Sequence, residues 1–474
     1  MIILHVFSVL NLQFSIMAFK GRENFGRVGA VLAAAGSAVG LGNIWRFPIE
    51  TGRNGGAAFV LVYILCVIIL GLPVMISEFL IGRSTQANTA AAYRKLSPDT
   101  QWKWVGRLGV LTGFLILSYY SVVAGWTVEY AGYALFNTFA GQYDYKVMFN
   151  DFAADPFWPV LWLFVFMFVT HIIIVRGVKS GIERVSKILM PTLFLLIMML
   201  VFCSVTLPGS GAGIDFIIRP DFSKIDGMVV LSAMGQAFFS LSIGMGCLCT
   251  YASYFRPDTN ITRSAINVAS IDTMIAIMSG FIIFPAAASA GYTLTAGDVG
   301  PSLIFITLPH VFQQAFSGAP ILAYIFAVMF YVLLILAALT STISMHEVIT
   351  AYLSEEFEMS RKKAARMVTC ACAFLGIFCA LSFGLLNGFH PMGKTIFDWF
   401  DFLSSTILLP FGGMLISLFA GWHLNKKLMY DELTNYGTIR IRYFKILVFI
   451  LRFVAPIAIG FIFLNETGLF DIFR

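Results

Sequence analysis

Charge is scarce in this chain. Only 12% of its 474 residues are Asp, Glu, Lys or Arg, about half of what a soluble domain carries. Nucleotide-binding glycine loops, metal-ligand spacings and nucleophile-elbow serines are also missing, and with them the usual signatures of an enzyme. The seven cysteines (Cys66, Cys203, Cys247, Cys249, Cys370, Cys372 and Cys379) include no C-x-x-C pair. They fall in or near apolar stretches, so free core thiols are expected, not disulfides or a metal centre.

Apolar length stands in place of charge. The chain is 59% hydrophobic and 15% aromatic, with a mean hydropathy of +0.85, which makes the bilayer its main solvent. Stretches of roughly 20 residues or more, long enough to cross a hydrocarbon core, lie near 29–53, 57–82, 104–138, 157–175, 183–207, 229–255, 265–292, 319–353, 364–386, 395–422 and 446–465. The expectation is an all-α integral membrane protein of about eleven transmembrane helices.

Basic residues cluster in alternate loops: Arg83, Arg94, Lys95, Lys103 and Arg107; Arg176, Lys179, Arg184 and Lys187; Arg361, Lys362, Lys363 and Arg366; Lys426, Lys427, Arg440, Arg442 and Lys445. By the positive-inside rule the N-terminus is cytoplasmic and Arg474 is outside the cell membrane. The net charge of +6 thus reports topology and implies no nucleic-acid partner. Residues 1–16 are apolar but lack the basic start and cleavage site of a signal peptide. An upstream start before Met17 is expected, with an interfacial helix as the alternative.

Two spans make poor helices. The first reads GSAVGLGNIWRFP, Gly36 to Pro48, and the sixth GQAFFSLSIGMG, Gly235 to Gly246. Each glycine costs about 1 kcal/mol of helix propensity relative to alanine. Unwound backbone is tolerated in a membrane where it lines a cavity. There its carbonyls can hold a cation and its half-helix N-termini can meet a carboxylate. Glycines that merely let helices pack closely are the alternative for either span taken alone. Spans one and six also begin two five-span halves, the spacing of an inverted repeat. The expected organisation is an N-terminal cytoplasmic segment 1–26, repeats 27–207 and 229–422 around an external loop 208–228, and a loop with the eleventh helix over 423–474.

These segments, with TYASY at Thr250–Tyr254 and ALTSTIS at Ala338–Ser344, resemble the neurotransmitter:sodium symporter family, best its bacterial amino-acid branch, over nearly the whole chain from about Gly21. The resemblance implies two sodium sites. One takes the Ala38 carbonyl, Asn43, Ser240, Asp272 and the substrate carboxylate. The other takes the carbonyls of Gly36, Val39 and Ala337 with the hydroxyls of Thr340 and Ser341. Sodium is a hard cation, and these residues offer only oxygen.

Asp272 departs from the pattern. Many family members carry asparagine there and bind chloride near a serine one turn later, where this chain has Ala276. A carboxylate at the membrane midplane is costly and usually functional. Asp272 is expected to supply the negative charge that chloride supplies elsewhere, so that transport needs no chloride; its protonation on the return step can couple proton counter-transport, and a structural aspartate paired within its bundle is the alternative. Gly40 stands where monoamine carriers have aspartate, which leaves room for an amino acid's own carboxylate beside Leu41, Gly42 and Tyr120. Ile116, Phe239, Ser242, Met245 and Met345, with Ser341, are expected to line a pocket for neutral, hydrophobic or aromatic L-amino acids.

The family pattern makes Arg46 and Asp401 an external gate, with Gln236 nearby and Tyr120 and Phe239 as an inner lid. On the cytoplasmic side it implies Arg22 and Phe25 against Ser253, Tyr254 and Glu355, although phenylalanine replaces the family's tryptophan. Gly181 and Pro191 are expected to let span five unwind towards the second sodium site, or to leave a static kink. Glu78, His346 and Glu347 read as packed structural groups. The implied activity is sodium-coupled import by a monomer. A carrier of another zwitterion, such as an osmolyte, and a non-transporting sensor remain open; the chain's end directly after span eleven speaks against an appended sensor domain.

Overall fold

The computed structural model describes residues 23–141, 144–292 and 303–467. Arg22 and most of the expected 1–26 segment lie outside the described residues, as does the end of the chain beyond 467.

Among the described residues the secondary structure is helical. Nine helices are long and apolar enough to cross a membrane: Ala57–Thr85, Lys103–Leu135, Trp158–Val175, Val178–Val205, Ile261–Ser289, Pro320–Glu356, Arg361–Leu381, Ile396–His423 and Phe444–Asn465. A bent pair, Arg27–Ala38 and Gly42–Arg53, meets at 55° and forms span one. Span six is Gly227–Ser240 followed, after a break, by Cys247–Ala252. Its longer half reaches only about 21 Å at 1.5 Å per residue, so neither half crosses alone. With these two, the described residues hold the expected eleven spans, and the breaks fall in the first span of each half.

Local chemistry sets where the spans start. The side chains of Asp226, Asn260 and Ser360 accept backbone N–H groups at the heads of spans six, seven and nine, satisfying donors a helix start otherwise leaves open. Packing sets which spans are central. Span three is 72% buried over its most apolar stretch, against 28% for spans five and eleven. Span three therefore runs through the bundle against span eight, while five and eleven turn residues such as Ile188, Leu195 and Ile457 outward.

Span five is wound in this structure: it is continuous through Pro191 and starts as a wide turn over Val178–Glu183, the region of the expected Gly181–Pro191 hinge. Proline removes one helical hydrogen bond, and the neighbouring turns carry the helix past it. The cysteines are all free, but Cys370 is exposed and Cys203 half-buried, because they sit on outward faces of their spans.

Candidate functional site

Span one stops at Ala38 because Val39 turns to an extended conformation, φ −68° and ψ 113°. The chain resumes as a wide turn over Gly42–Arg46. Asn43 braces the gap from within: its Oδ1 accepts the Gly40 N–H at 3.0 Å, and its own N–H donates to the Gly40 carbonyl at 3.2 Å. Space, not backbone freedom, demands glycine here. A Cβ on Gly40 would lie 2.6 Å from Ser341 Oγ, and one on Gly42 2.6 Å from the Phe239 ring.

Asn43 also faces Asp272. Its Nδ2 donates to Asp272 Oδ1 at 2.7 Å and to Ser240 Oγ at 3.1 Å, and Ser240 Oγ donates to Asp272 Oδ2 at 2.7 Å. The Tyr63 hydroxyl joins at 3.4 Å from Ser240 and 3.5 Å from Asp272. Spans one, two, six and seven thus meet at a carboxylate with no exposed surface. Among the described residues its hydrogen-bond partners are neutral, and no Lys or Arg reaches it. A buried carboxylate left with neutral partners is neutralised by a cation or by a proton, and the surrounding donor set is all oxygen apart from the Asn43 amide nitrogen. The residues fit a sodium ion.

Ala276 leaves no hydroxyl at the position where one was sought. Ser279, on the same helix, instead donates to the Asn43 carbonyl at 2.5 Å.

A second oxygen group lies where span eight crosses the same break. Thr340 Oγ1 donates to the Ala337 carbonyl at 2.9 Å and lies 3.4 Å from that of Val39; Ser341 Oγ lies 3.2 Å from the Val39 carbonyl. A Cβ on Gly36 would stand 3.3 Å from Thr340 Cβ. The five residues named for the second ion are therefore neighbours.

The break in span six is held differently. Its backbone turns left-handed at Ser242, Gly244 and Gly246, and the freed amides of Gly244 and Cys249 donate to Glu78 of span two at 2.9 and 3.3 Å. Thr89 Oγ1 takes the Gly246 carbonyl at 3.0 Å. Reading Glu78 as mere packing missed this. The available signal was a carboxylate in an apolar span with no basic residue in the same span before Arg83.

Between the two breaks lies a cavity of about 50 Å³ lined by Ala38, Gly40, Gly42, Asn43, Ile116, Tyr120, Phe239, Ser240, Ser242, Met245, Ser341 and Met345, together with Ser37, Tyr119 and Cys247. Leu41 contributes its N–H, which donates to Tyr120 Oη at 3.1 Å, so the tyrosine's own proton stays available to a ligand. An outer cavity of about 290 Å³ shares Tyr120 and Phe239 with the inner one and reaches Arg46 and Asp401.

The expected gate is only partly assembled. Arg46 lies over the Phe239 ring at 4.5 Å. Asp401 accepts from Tyr119 at 2.8 Å and Ser405 at 2.9 Å, so its carboxylate is engaged by neutral hydroxyls and not by Arg46. Gln236 is fully buried and does not line the outer cavity, which separates it from the gate. At the opposite end of the bundle, where the second gate is expected, Phe25 is buried edge-on against Tyr251 and Tyr254, and its N–H donates to the Tyr254 carbonyl at 2.9 Å. Tyr254 Oη reaches Glu347, the partner of Arg361. Ser253 turns back on its own helix, and Glu355 accepts from Asn88.

Comparison with known proteins agrees with this architecture. The model of the sodium:neurotransmitter symporter family matches residues 22–155 and 151–470. The uncharacterised sodium-dependent transporter YhdH of Bacillus subtilis is 39% identical over 445 residues, covering 94% of this chain and 97% of its own. The sodium-dependent nutrient amino acid transporter 1 of Drosophila mojavensis is 26% identical over 453 residues, 82% of this chain and 68% of its own. The crystal structure of MhsT in complex with L-phenylalanine superposes with a TM-score of 0.84 at 42% identity, covering 94% of this chain and all of that one. A fold of eleven spans with two facing breaks, matched along its length by sodium-dependent carriers, identifies a multi-pass membrane transporter: the chain belongs to the sodium:neurotransmitter symporter family.

Proposed function

We propose that the protein imports a neutral amino acid with sodium by alternating access, at two sodium sites and without chloride. The observation that carries this is Asp272, a fully buried carboxylate with neutral partners beside the break in span one. In this reading one sodium binds among Asp272, Asn43, Ser240 and the Ala38 carbonyl, and the amino acid's carboxylate completes its shell. The Tyr120 hydroxyl donates to that carboxylate. A second sodium ties Gly36 and Val39 of span one to Ala337, Thr340 and Ser341 of span eight. Asp272 supplies the negative charge that chloride supplies in other family members. Each sodium entering down the membrane potential contributes about 2.3 kcal/mol per 100 mV to uphill uptake.

Hydrophobic or aromatic side chains suit a pocket of Ile116, Met245, Met345 and Phe239, and methionines adapt to varied shapes. The L-phenylalanine bound to MhsT and the amino-acid transporter of Drosophila mojavensis support the class. The cavity of about 50 Å³ favours a second reading, a small zwitterion such as an osmolyte or a glycine-like solute. The protein is read as a monomer with its N-terminus in the cytoplasm and Arg474 outside.

Uptake into proteoliposomes tests the proposal. Concentrative uptake should vanish when sodium is replaced by potassium and persist when chloride is replaced by gluconate. Uptake indifferent to sodium sinks the proposal, and strong chloride dependence removes the role given to Asp272. A panel of leucine, tryptophan and betaine separates the two substrate readings.

A further inference from the structure

The cytoplasmic starts of spans one and five are joined by two carboxylates pointing in opposite directions. Glu23, just ahead of span one, accepts the backbone N–H groups of Val178 and Lys179 through one oxygen, both at 3.0 Å. These are the first amides of span five, presented by Gly177 in a left-handed turn at φ +95°. Glu183, in span five, accepts the N–H of Gly26, the residue that caps span one, at 3.2 Å. Lys187 Nζ holds the same Glu183 oxygen at 2.6 Å. Each helix therefore borrows its capping acceptor from the other.

The fit is close enough to exclude side chains. A Cβ on Gly26 would lie 2.9 Å from Glu183 Oε1, and one on Gly29 2.4 Å from it. Two turns further along, Met190 Sδ sits 3.3 Å from where a Gly36 Cβ would be. The same half of span five thus touches both the head of span one and the residue that begins the second oxygen group.

We propose that Glu23 and Glu183 form a reciprocal clamp that keeps the cytoplasmic half of span five wound until the segment ahead of span one departs. This rests on the reading of Gly181 and Pro191 as a hinge on the path to the second sodium site. Helix starts expose N–H groups that favour a nearby carboxylate. With Glu23 in place, the first turn of span five is capped and stays helical. When residues 23–26 move away, span five loses its acceptor and span one loses Glu183 in the same event. The hinge then unwinds from its uncapped end, and the second sodium gains a route to the cytoplasm. Glu23 and Glu183 are positioning residues: they touch neither ion nor amino acid.

The test is hydrogen exchange of the purified transporter in nanodiscs, with sodium and amino acid present, read at residues 184–190. Those amides lie beyond the two that Glu23 touches, so the loss of a direct contact does not move them. Glu23→Ala is expected to speed exchange there about fivefold, the shift that losing one helix cap produces. Apparent sodium affinity should fall by a similar factor while the melting temperature is unchanged. Glu23→Gln keeps an acceptor oxygen and should restore most of the effect. Gly29→Ala, whose methyl displaces Glu183, should reproduce Glu23→Ala from the other side. Unchanged exchange and sodium affinity in Glu23→Ala overturn the clamp. If Pro191→Ala, which stiffens the helix, then still slows sodium release, the hinge stands without it. Sodium release unaffected by Pro191→Ala overturns the hinge, and the clamp with it.

Discussion

The two broken spans solve one problem in opposite ways. In span one the gap is short and extended, and Asn43, four residues or fewer from every atom it braces, holds it from inside. In span six the backbone turns left-handed at Ser242, Gly244 and Gly246, and Glu78 from another helix holds its amides. A break braced by its own amide keeps its carbonyls turned towards neighbours that can share a cation. A break pinned by a fixed carboxylate has its amides committed and offers side chains, Ser240, Ser242 and Met245, to the cavity. In the proposed function the first arrangement supplies backbone carbonyls to the ions, and the second supplies side chains, Ser240 to an ion and Ser242 and Met245 to the pocket.

That contrast can be broken most decisively at Glu78. Glu78→Ala leaves two buried amides without acceptors, each costing about 1–3 kcal/mol. It should abolish sodium-dependent amino-acid binding and lower the melting temperature, both read on purified protein, and Glu78→Gln should recover part of each. Normal binding in Glu78→Ala would show that the second break holds itself. Next in size is Asp272→Asn. Losing the buried charge that faces a cation costs about 3 kcal/mol, so apparent sodium affinity in uptake assays should fall about 100-fold with the fold intact.

Smaller effects sharpen the contrast within span one. Gly40→Ala puts a methyl 2.6 Å from Ser341 Oγ, and such overpacking costs about 1–3 kcal/mol. Amino-acid affinity should drop at least about tenfold by competition binding. Gly244→Ala at the other break meets the Leu409 carbonyl at 2.5 Å and a strained φ of +93°, and should cost thermal stability first. Tyr120→Phe should have the least effect, about fivefold on amino-acid affinity, the loss of one hydrogen bond.

Much of the cavity was legible before any coordinates. Gly36, Gly40, Gly42 and Asn43 are close in sequence, and their spacing in an apolar stretch is itself the anomaly. Gly244 and Gly246 gave the same signal. The gate was less legible. Asp401 reads as a partner for Arg46 because opposite charges in a membrane are expected to pair, yet Tyr119 takes the aspartate while Arg46 lies on Phe239. Which of two adjacent tyrosines faces a carboxylate depends on helix rotation, which residue order does not fix in a span apolar on most faces.

Residue order alone settles that the chain lives in a bilayer, crosses it about eleven times and breaks its first and sixth crossings. Hydrophobic length and helix propensity are local properties, written in consecutive residues. Tertiary structure decided what holds the breaks open. Glu78 lies 166 residues from the Gly244 amide it accepts, and Tyr63 lies 209 from Asp272. Such partnerships follow from which helices pack together and how each is turned, so they come into view only once the spans are assembled.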